Sequence, residues 1–99
     1  MNRISLSEEA LSDLNQGFLF YEAQETGLGD YFVSTLRSEI ERLKFTGGTH
    51  KIVHLDYFRL VSKTFPFGIF YTKEEEQVTI WAVIDLRQEP EWIRIQVGK

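Results

Sequence analysis

The residues of this chain that could take part in acid–base or phosphate chemistry are a histidine and two arginines in its second half. Cleavage of RNA by its own 2′-hydroxyl requires removal of a proton, protonation of the leaving oxygen and positive charge over the phosphate. Arg59 and Arg87 could hold a phosphate, and His54 could exchange protons near neutral pH. A histidine close to Lys51 and Asp56 is nevertheless more often a surface or pairing residue than a catalyst.

Arg87 has two interpretations that the sequence leaves open. Its guanidinium could contact a phosphate or a partner protein. It could instead form an ion pair with Asp85, Glu89 or Glu91, and so fix the direction in which the chain leaves the last predicted strand.

The two histidines do not have the spacing of a metal site. His50 and His54 lie in a segment with a strand-like pattern, which would separate them by about 13 Å. That separation is too large for one metal ion, and the sequence offers no evident third ligand. Cysteine is absent, which excludes disulfides and thiolate ligands. We therefore expect neither a metal nor a cofactor.

Length and composition indicate a single domain, residues 1–99. Ninety-nine residues of which 42% are hydrophobic and 14% aromatic are enough for one core. The net charge of −4 argues against strong non-specific binding to nucleic acid. We find no stretch with the length of a membrane span or with the apolar core of a signal peptide. Together with the absence of cysteine, these features are consistent with a cytoplasmic protein.

Periodic apolar residues predict two helices in the first half of the chain. Ser7 is a suitable N-cap, and Glu8 and Glu9 complement the helix dipole in the first turn. The predicted apolar stripes are Leu11, Leu14, Phe18 and Tyr21 in the first helix, and Phe32, Leu36, Ile40 and Leu43 in the second. Gly27 can end the first helix and Asp30 can cap the second, so the pair forms an antiparallel hairpin.

Short apolar segments predict the strands of one sheet. They are residues 3–6, 52–55, 58–62, 67–72 and 78–85, of which the second and third form either one bent strand or a strand pair. Short connections make the later segments antiparallel neighbours. The predicted fold is therefore α+β, in the order β-α-α-β-β-β, with the helical hairpin packed on a curved antiparallel sheet.

Several local motifs occur in the order typical of one protein family. They are residues 7–14, residues 20–22 followed by 27–29 and Phe32, residues 65–67 followed by Ile69 and Tyr71, and residues 82–92. In this order they resemble the RelE/ParE superfamily of toxins from bacterial type II toxin–antitoxin modules. The resemblance covers nearly the whole chain and is greater to the ParE-like branch than to the RelE-like branch.

The chain departs from the RelE-like pattern at positions that would carry basic or proton-transferring residues. Many relatives have an arginine pair after the last strand, where this chain has Arg87 followed by Gln88. The middle-strand arginine of RelE-type ribonucleases would fall near Gly68, and Trp92 stands near the position of a terminal acid–base residue. These departures favour a function that needs no catalytic set.

The resemblance implies three alternative functions. The favoured one is a ParE-like, growth-inhibiting toxin of a plasmid-stabilisation module that docks on a large target, which in that branch is DNA gyrase. The second is a RelE-like, ribosome-dependent mRNA endonuclease, whose catalytic residues would be Arg59, Lys63, Arg87 and His54, brought together on one concave face of the sheet. The third is a decayed relative that retains the fold but not the toxicity.

All three alternatives imply a cognate antitoxin as the partner. An antitoxin of this class resembles a DNA-binding dimer with a disordered tail that folds when it binds the toxin. The predicted contact residues for the antitoxin or the target are Leu60, Phe67, Ile69, Arg87, Trp92 and Arg94. In the absence of an antitoxin, the exposed apolar patch could lead to a homodimer.

Overall fold

The structure, a computed structural model, describes residues 1–87 of the chain, apart from the side chain of His54. The elements in this range are β1 (Arg3–Leu6), α1 (Glu8–Gln24), α2 (Leu28–Glu41), α3 (Leu43–Thr46), β2 (Lys51–His54), β3 (Tyr57–Val61), β4 (Phe67–Glu74) and β5 (Gln77–Asp85). Of the two alternatives that the sequence left for residues 52–62, one bent strand or a strand pair, the structure has the strand pair, β2 and β3. No helix in this range has the length and apolar character that a membrane crossing requires.

The five strands form one sheet in the order β1-β5-β4-β3-β2. Strands β2 to β5 are antiparallel neighbours, whereas β1 pairs with β5 in parallel. The predicted α+β class and the order of helices and strands are confirmed, and the parallel pair makes the sheet mixed. The pair arises because the helices carry the chain from β1 to the opposite edge of the sheet, and β5 then enters between β4 and β1.

The helices pack on one face of the sheet and bury the main core there. In β4, Phe67, Ile69 and Tyr71 belong to this core, whereas Phe70 points to the other face, as the alternation of a strand requires. On that second face, Phe70 and Ile84 form a smaller buried cluster. Its partly buried neighbours are Val53, Tyr57, Ala82 and Leu86. The sheet therefore has apolar residues on both faces, and the described helices cover one of them.

The contact between α1 and α2 depends on a close approach at Gly17. A Cβ atom added there would lie 2.4 Å from Cε2 of Phe32, so only glycine fits without movement of the ring. The buried face of α1 is Ala10, Leu14, Gly17 and Tyr21. Leu11, part of the predicted stripe, is exposed instead. The difference has a steric cause. Gly17 has no side chain, so α2 can lie close to α1 there, and the ring of Phe32 fills the space.

The N-termini of α1 and α2 are capped by different side chains. Ser7 accepts the N–H of Ala10 at 3.0 Å, which confirms the predicted N-cap of α1. Asp30 lies inside the first turn of α2 and is not its cap, contrary to the prediction. The carboxylate of Glu22 takes this role, accepting the N–H groups of Gly27 at 3.0 Å and of Gly29 at 2.9 Å. It can do so because Gly27, with φ at +91°, turns the chain back towards α1.

Replacement of Glu22 by alanine is expected to lower the free energy of unfolding by about 1–2 kcal/mol, because it removes a charged acceptor from the first N–H groups of α2. Glutamine at this position keeps one acceptor oxygen, so its loss should be smaller. Urea unfolding followed by circular dichroism would measure both variants. Equal stability of the alanine variant and the wild type would show that the turn does not depend on this carboxylate.

Candidate functional site

The four basic residues of the predicted ribonuclease site lie in different parts of the sheet. His54 pairs with Tyr57 at one end of β3, and Lys63 follows Ser62 at the other end. Ser62 lies five positions after Tyr57 in the extended chain, which corresponds to about 17 Å. A single phosphate therefore cannot lie within reach of both ends.

Arg59 and Lys63 also lie towards opposite faces of the sheet. Arg59 is in register with Phe70, on the face away from the helices, while its neighbour Leu60 packs against the main core. Lys63 instead borders a cleft on the helical side, where its backbone N–H donates to Oε2 of Glu39 at 3.0 Å. The predicted convergence on one concave face does not occur among the described residues.

Arg87 forms an ion pair with Asp85, one of the two alternatives that the sequence left open. Its Nε donates to Oδ1 at 3.0 Å and its Nη2 donates to Oδ2 at 2.7 Å. The backbone N–H of Arg87 adds a bond of 2.9 Å to Oδ1. The hydrogen bonds from Arg87 lower the pKa of Asp85, because they stabilise its charged form. The pair fixes the chain exit after β5 and occupies the guanidinium, although that side chain remains half exposed.

Two of the predicted contact residues for a partner are core residues. Ile69 is 0% exposed and Phe67 is 7% exposed, and the ring of Phe67 lies 4.9 Å from that of Phe32 in α2. The helices therefore fill the space in which a groove was expected, which corrects that part of the prediction. Leu60 is partly buried against the same core. Trp92 and Arg94 lie outside the described residues.

The outer edge of β5 is partly uncovered, a feature that the sequence did not indicate. Strand β1 covers only the first part of this edge, from Gln77 to Ile80. From Trp81 to Asp85 the edge has no strand partner within residues 1–87. Edge strands of this kind can accept a further strand from another protein.

A β-bulge at Trp81 shapes the beginning of this free edge. Ala82 pairs with Phe70 and Ile80 pairs with Tyr71, so Trp81 is an extra residue in β5. Its side chain is 41% exposed, and its Nε1 donates to Oγ1 of Thr72 at 2.9 Å. The bulge thus directs a large aromatic side chain to the surface beside an unpaired edge.

Side chains of α1 border the same edge. The carboxylate of Asp13 accepts the N–H of Val83 at 2.9 Å, and burial raises the pKa of this aspartate. Asp13, Gln16 and Trp81 line a shallow pocket of about 200 Å³. Phe20 is half exposed and lies two helical turns after Asp13, on the same flank of α1. We call these four side chains, together with the backbone of residues 81–85, the edge surface.

The edge surface has the composition of an interface that binds protein. Exposed aromatic residues are favoured at the centres of such interfaces. The edge has no strand partner within residues 1–87, and the side chains of Ser7 and Asp13 bind its backbone at the carbonyl of Trp81 and the N–H of Val83. The sequence signal for it was hidden, because the bulge joins both faces of β5 into one apolar run from Ile80 to Ile84. In such a run, alternation does not show that Trp81 is exposed.

Comparisons with known proteins agree with the fold. No protein-family model matches the chain, and no curated protein matches it. Among solved structures, the chain is similar to a chain of the chromosomal ParDE TA system from P. aeruginosa, with a TM-score of 0.80 and 12% sequence identity. The similarity covers 87% of this chain and 97% of that one. The chain therefore has the fold found in that ParDE structure, and its resemblance to the ParE-like branch is confirmed at the level of the fold.

Proposed function

We propose that this chain is the toxin of a type II toxin–antitoxin module, and that it inhibits a large cellular target by binding rather than by catalysis. DNA gyrase is the target that the ParE-like resemblance implies. The observation that carries the choice of binding over catalysis is that Arg59 and Lys63 lie towards opposite faces of the sheet, while Arg87 is paired with Asp85. A docking inhibitor needs complementary surface only, whereas a ribonuclease needs these charges around one phosphate.

A cognate antitoxin is the partner that we propose for the edge surface. Its tail would replace the carboxylate of Asp13 at the N–H of Val83, add a strand along residues 81–85 of β5 and place apolar side chains on Trp81 and Phe20. Support for this comes from the absence of a described strand partner on this edge and from the exposure of both aromatic rings. Arg87, Trp92 and Arg94 remain proposed contact residues, because they lie at or beyond the exit of the same strand.

A growth assay with a double variant separates binding from ribonuclease activity. We expect tightly controlled induction of the wild-type chain to arrest bacterial growth, and co-expression of the adjacently encoded protein to relieve the arrest. The variant Arg59→Ala/Lys63→Ala should arrest growth equally at the same protein level, because docking at another surface does not require these charges. Purified protein should inhibit supercoiling by gyrase and leave ribosome-bound mRNA intact.

Each alternative function gives a different result in this experiment. Loss of arrest in the double variant, together with cleavage of ribosome-bound mRNA by the wild type, would establish the RelE-like endonuclease. Absence of arrest by the wild type, in a host whose gyrase it also fails to inhibit in vitro, would establish the decayed relative. Arrest without gyrase inhibition would support the assignment of the chain as a toxin and exclude gyrase as its target.

A further inference from the structure

The connection between α3 and β2 is attached to the core through one buried hydroxyl group. Tyr71 in β4 is 0% exposed, and its Oη accepts the N–H of Gly48 at 3.0 Å. The same oxygen lies 2.6 Å from Nδ1 of His50. The two rings meet edge to face, with their centroids 5.7 Å apart. A single phenol thus holds Gly48 and His50, two of the four residues of the connection.

Hydrogen bonding favours one tautomer of the imidazole. The N–H of Gly48 can only donate, so Oη accepts it, and the buried phenol still has one proton that needs an acceptor. An unprotonated Nδ1 of His50, 2.6 Å away, gives that proton a partner, and the proton of the neutral ring then lies on Nε2. Burial raises the pKa of Tyr71, which keeps its hydroxyl group protonated and able to donate.

Protonation of His50 would leave the hydroxyl proton of Tyr71 without its acceptor. The new N–H on Nδ1 can donate to Oη only if that proton turns away, so the buried phenol still accepts from Gly48 but loses its partner as a donor. The charged and titratable groups around the ring are Glu39 from α2, Arg42 between α2 and α3, Lys63 from the loop after β3, and Tyr71 and Lys73 from β4. Burial lowers the pKa of His50.

We propose that Gly48, His50 and Tyr71 form a pH-sensitive latch that holds the edge strand β2 on the sheet and opens when His50 is protonated. Strand β2 begins at Lys51, directly after His50, and has only four residues. Within residues 1–87 it pairs with β3 alone, and its register is interrupted after Ile52. A strand this short gains little from its own pairing, so release of its N-terminal attachment frees it from β3.

The direction of the pH dependence follows from the difference between the folded and unfolded states. In the unfolded chain His50 has its ordinary pKa of about 6.5, and in the folded chain its pKa is lower. The unfolded state therefore binds the proton first, and the latch stabilises the fold fully above pH 6.5. Its contribution decreases as the pH falls below 6.5 and is lost once the pH has passed the folded pKa.

Nuclear magnetic resonance of the full chain tests the latch directly. We expect the imidazole of His50 to titrate with a midpoint below 6.5, and the amide shift of Gly48 to follow the same curve. In Tyr71→Phe the amide of Gly48 should exchange with solvent on the order of tenfold faster at neutral pH, since its acceptor is gone. His50→Gln should abolish the pH dependence of the Gly48 amide.

The second histidine provides the matched control. His54→Gln should leave the titration of the Gly48 amide unchanged. The latch would be excluded by a Gly48 amide shift that does not change between pH 8 and pH 5 in the wild type. It would equally be excluded by a titration that persists in His50→Gln. Both outcomes are measured on the wild type and on His50→Gln, so the test does not depend on the stability of Tyr71→Phe.

Discussion

Replacement of Phe32 by alanine is expected to lower the free energy of unfolding by about 3–5 kcal/mol, a large part of the total stability of a domain of this size. The side chain is 0% exposed and links both helices to the sheet. Its ring lies 5.1 Å from those of Tyr21 and Phe65 and 4.9 Å from that of Phe67. The cavity would therefore open where three elements meet. Urea unfolding followed by circular dichroism measures the loss.

A double-mutant cycle of Gly17 and Phe32 tests whether the close contact between the two helices accounts for this loss of stability. Gly17→Ala alone should cost about 1–3 kcal/mol, because its Cβ would meet the ring of Phe32. In a Phe32→Leu background the same substitution should cost clearly less, since the ring atoms that it meets are absent. Phe45→Ala, at an exposed aromatic residue of α3, serves as the control and should change stability by about 0.5 kcal/mol or less. Strictly additive effects of Gly17 and Phe32 would contradict this account of the interface.

Replacement of Trp81 by glutamate is expected to weaken binding of the antitoxin about thirtyfold or more, as for a residue at the centre of an interface. The substitution removes an exposed ring beside the free edge of β5 and introduces a charge where a strand would pair. The fold should be retained, because the side chain is 41% exposed and its hydrogen bond to Thr72 lies on the surface, so that only part of its packing is lost. Isothermal titration with the purified antitoxin measures the change in affinity.

Ile52→Glu is the matched control for this prediction. Ile52 is also an exposed apolar residue, but it lies in β2 at the opposite edge of the sheet. Its substitution should leave antitoxin affinity unchanged. In cells, the Trp81 variant should arrest growth even when the antitoxin is co-expressed. If the Trp81 variant bound the antitoxin with wild-type affinity, the edge surface would not be part of the antitoxin interface.

The part of the fold that could be predicted from the sequence is the part set by local patterns. Ser7 was identified as an N-cap because its role depends only on the next three residues. The stripe of Phe32, Leu36 and Ile40 was identified because large apolar residues recur with the period of a helix. The two-residue separation of Asp85 and Arg87 likewise made their ion pair one of the stated alternatives.

The remaining features depend on contacts between distant segments. Alternation showed that Phe67 and Ile69 share a face, but not that the helices would cover that face. The parallel pairing of Arg3 with Gln77 joins residues far apart in the chain, so no local pattern contains it. The cap of α2 was misplaced because Glu22 reaches it from the preceding helix. The sequence did not indicate the edge surface for the same reason, because α1 and the bulged strand β5 that form it are far apart in the chain.

The position of β5 between β1 and β4 has a consequence for synthesis on the ribosome. Strand β1 is the first element made, yet its partner is the last of the described strands. Until β5 has left the exit tunnel, β1 has no neighbour and the helices have only part of the sheet to cover. The chain must therefore complete its fold after nearly all of it has been translated. For the toxin proposed above, this delay would separate the start of translation from the first harmful molecule, and an antitoxin already present in the cell could bind the chain as it folds.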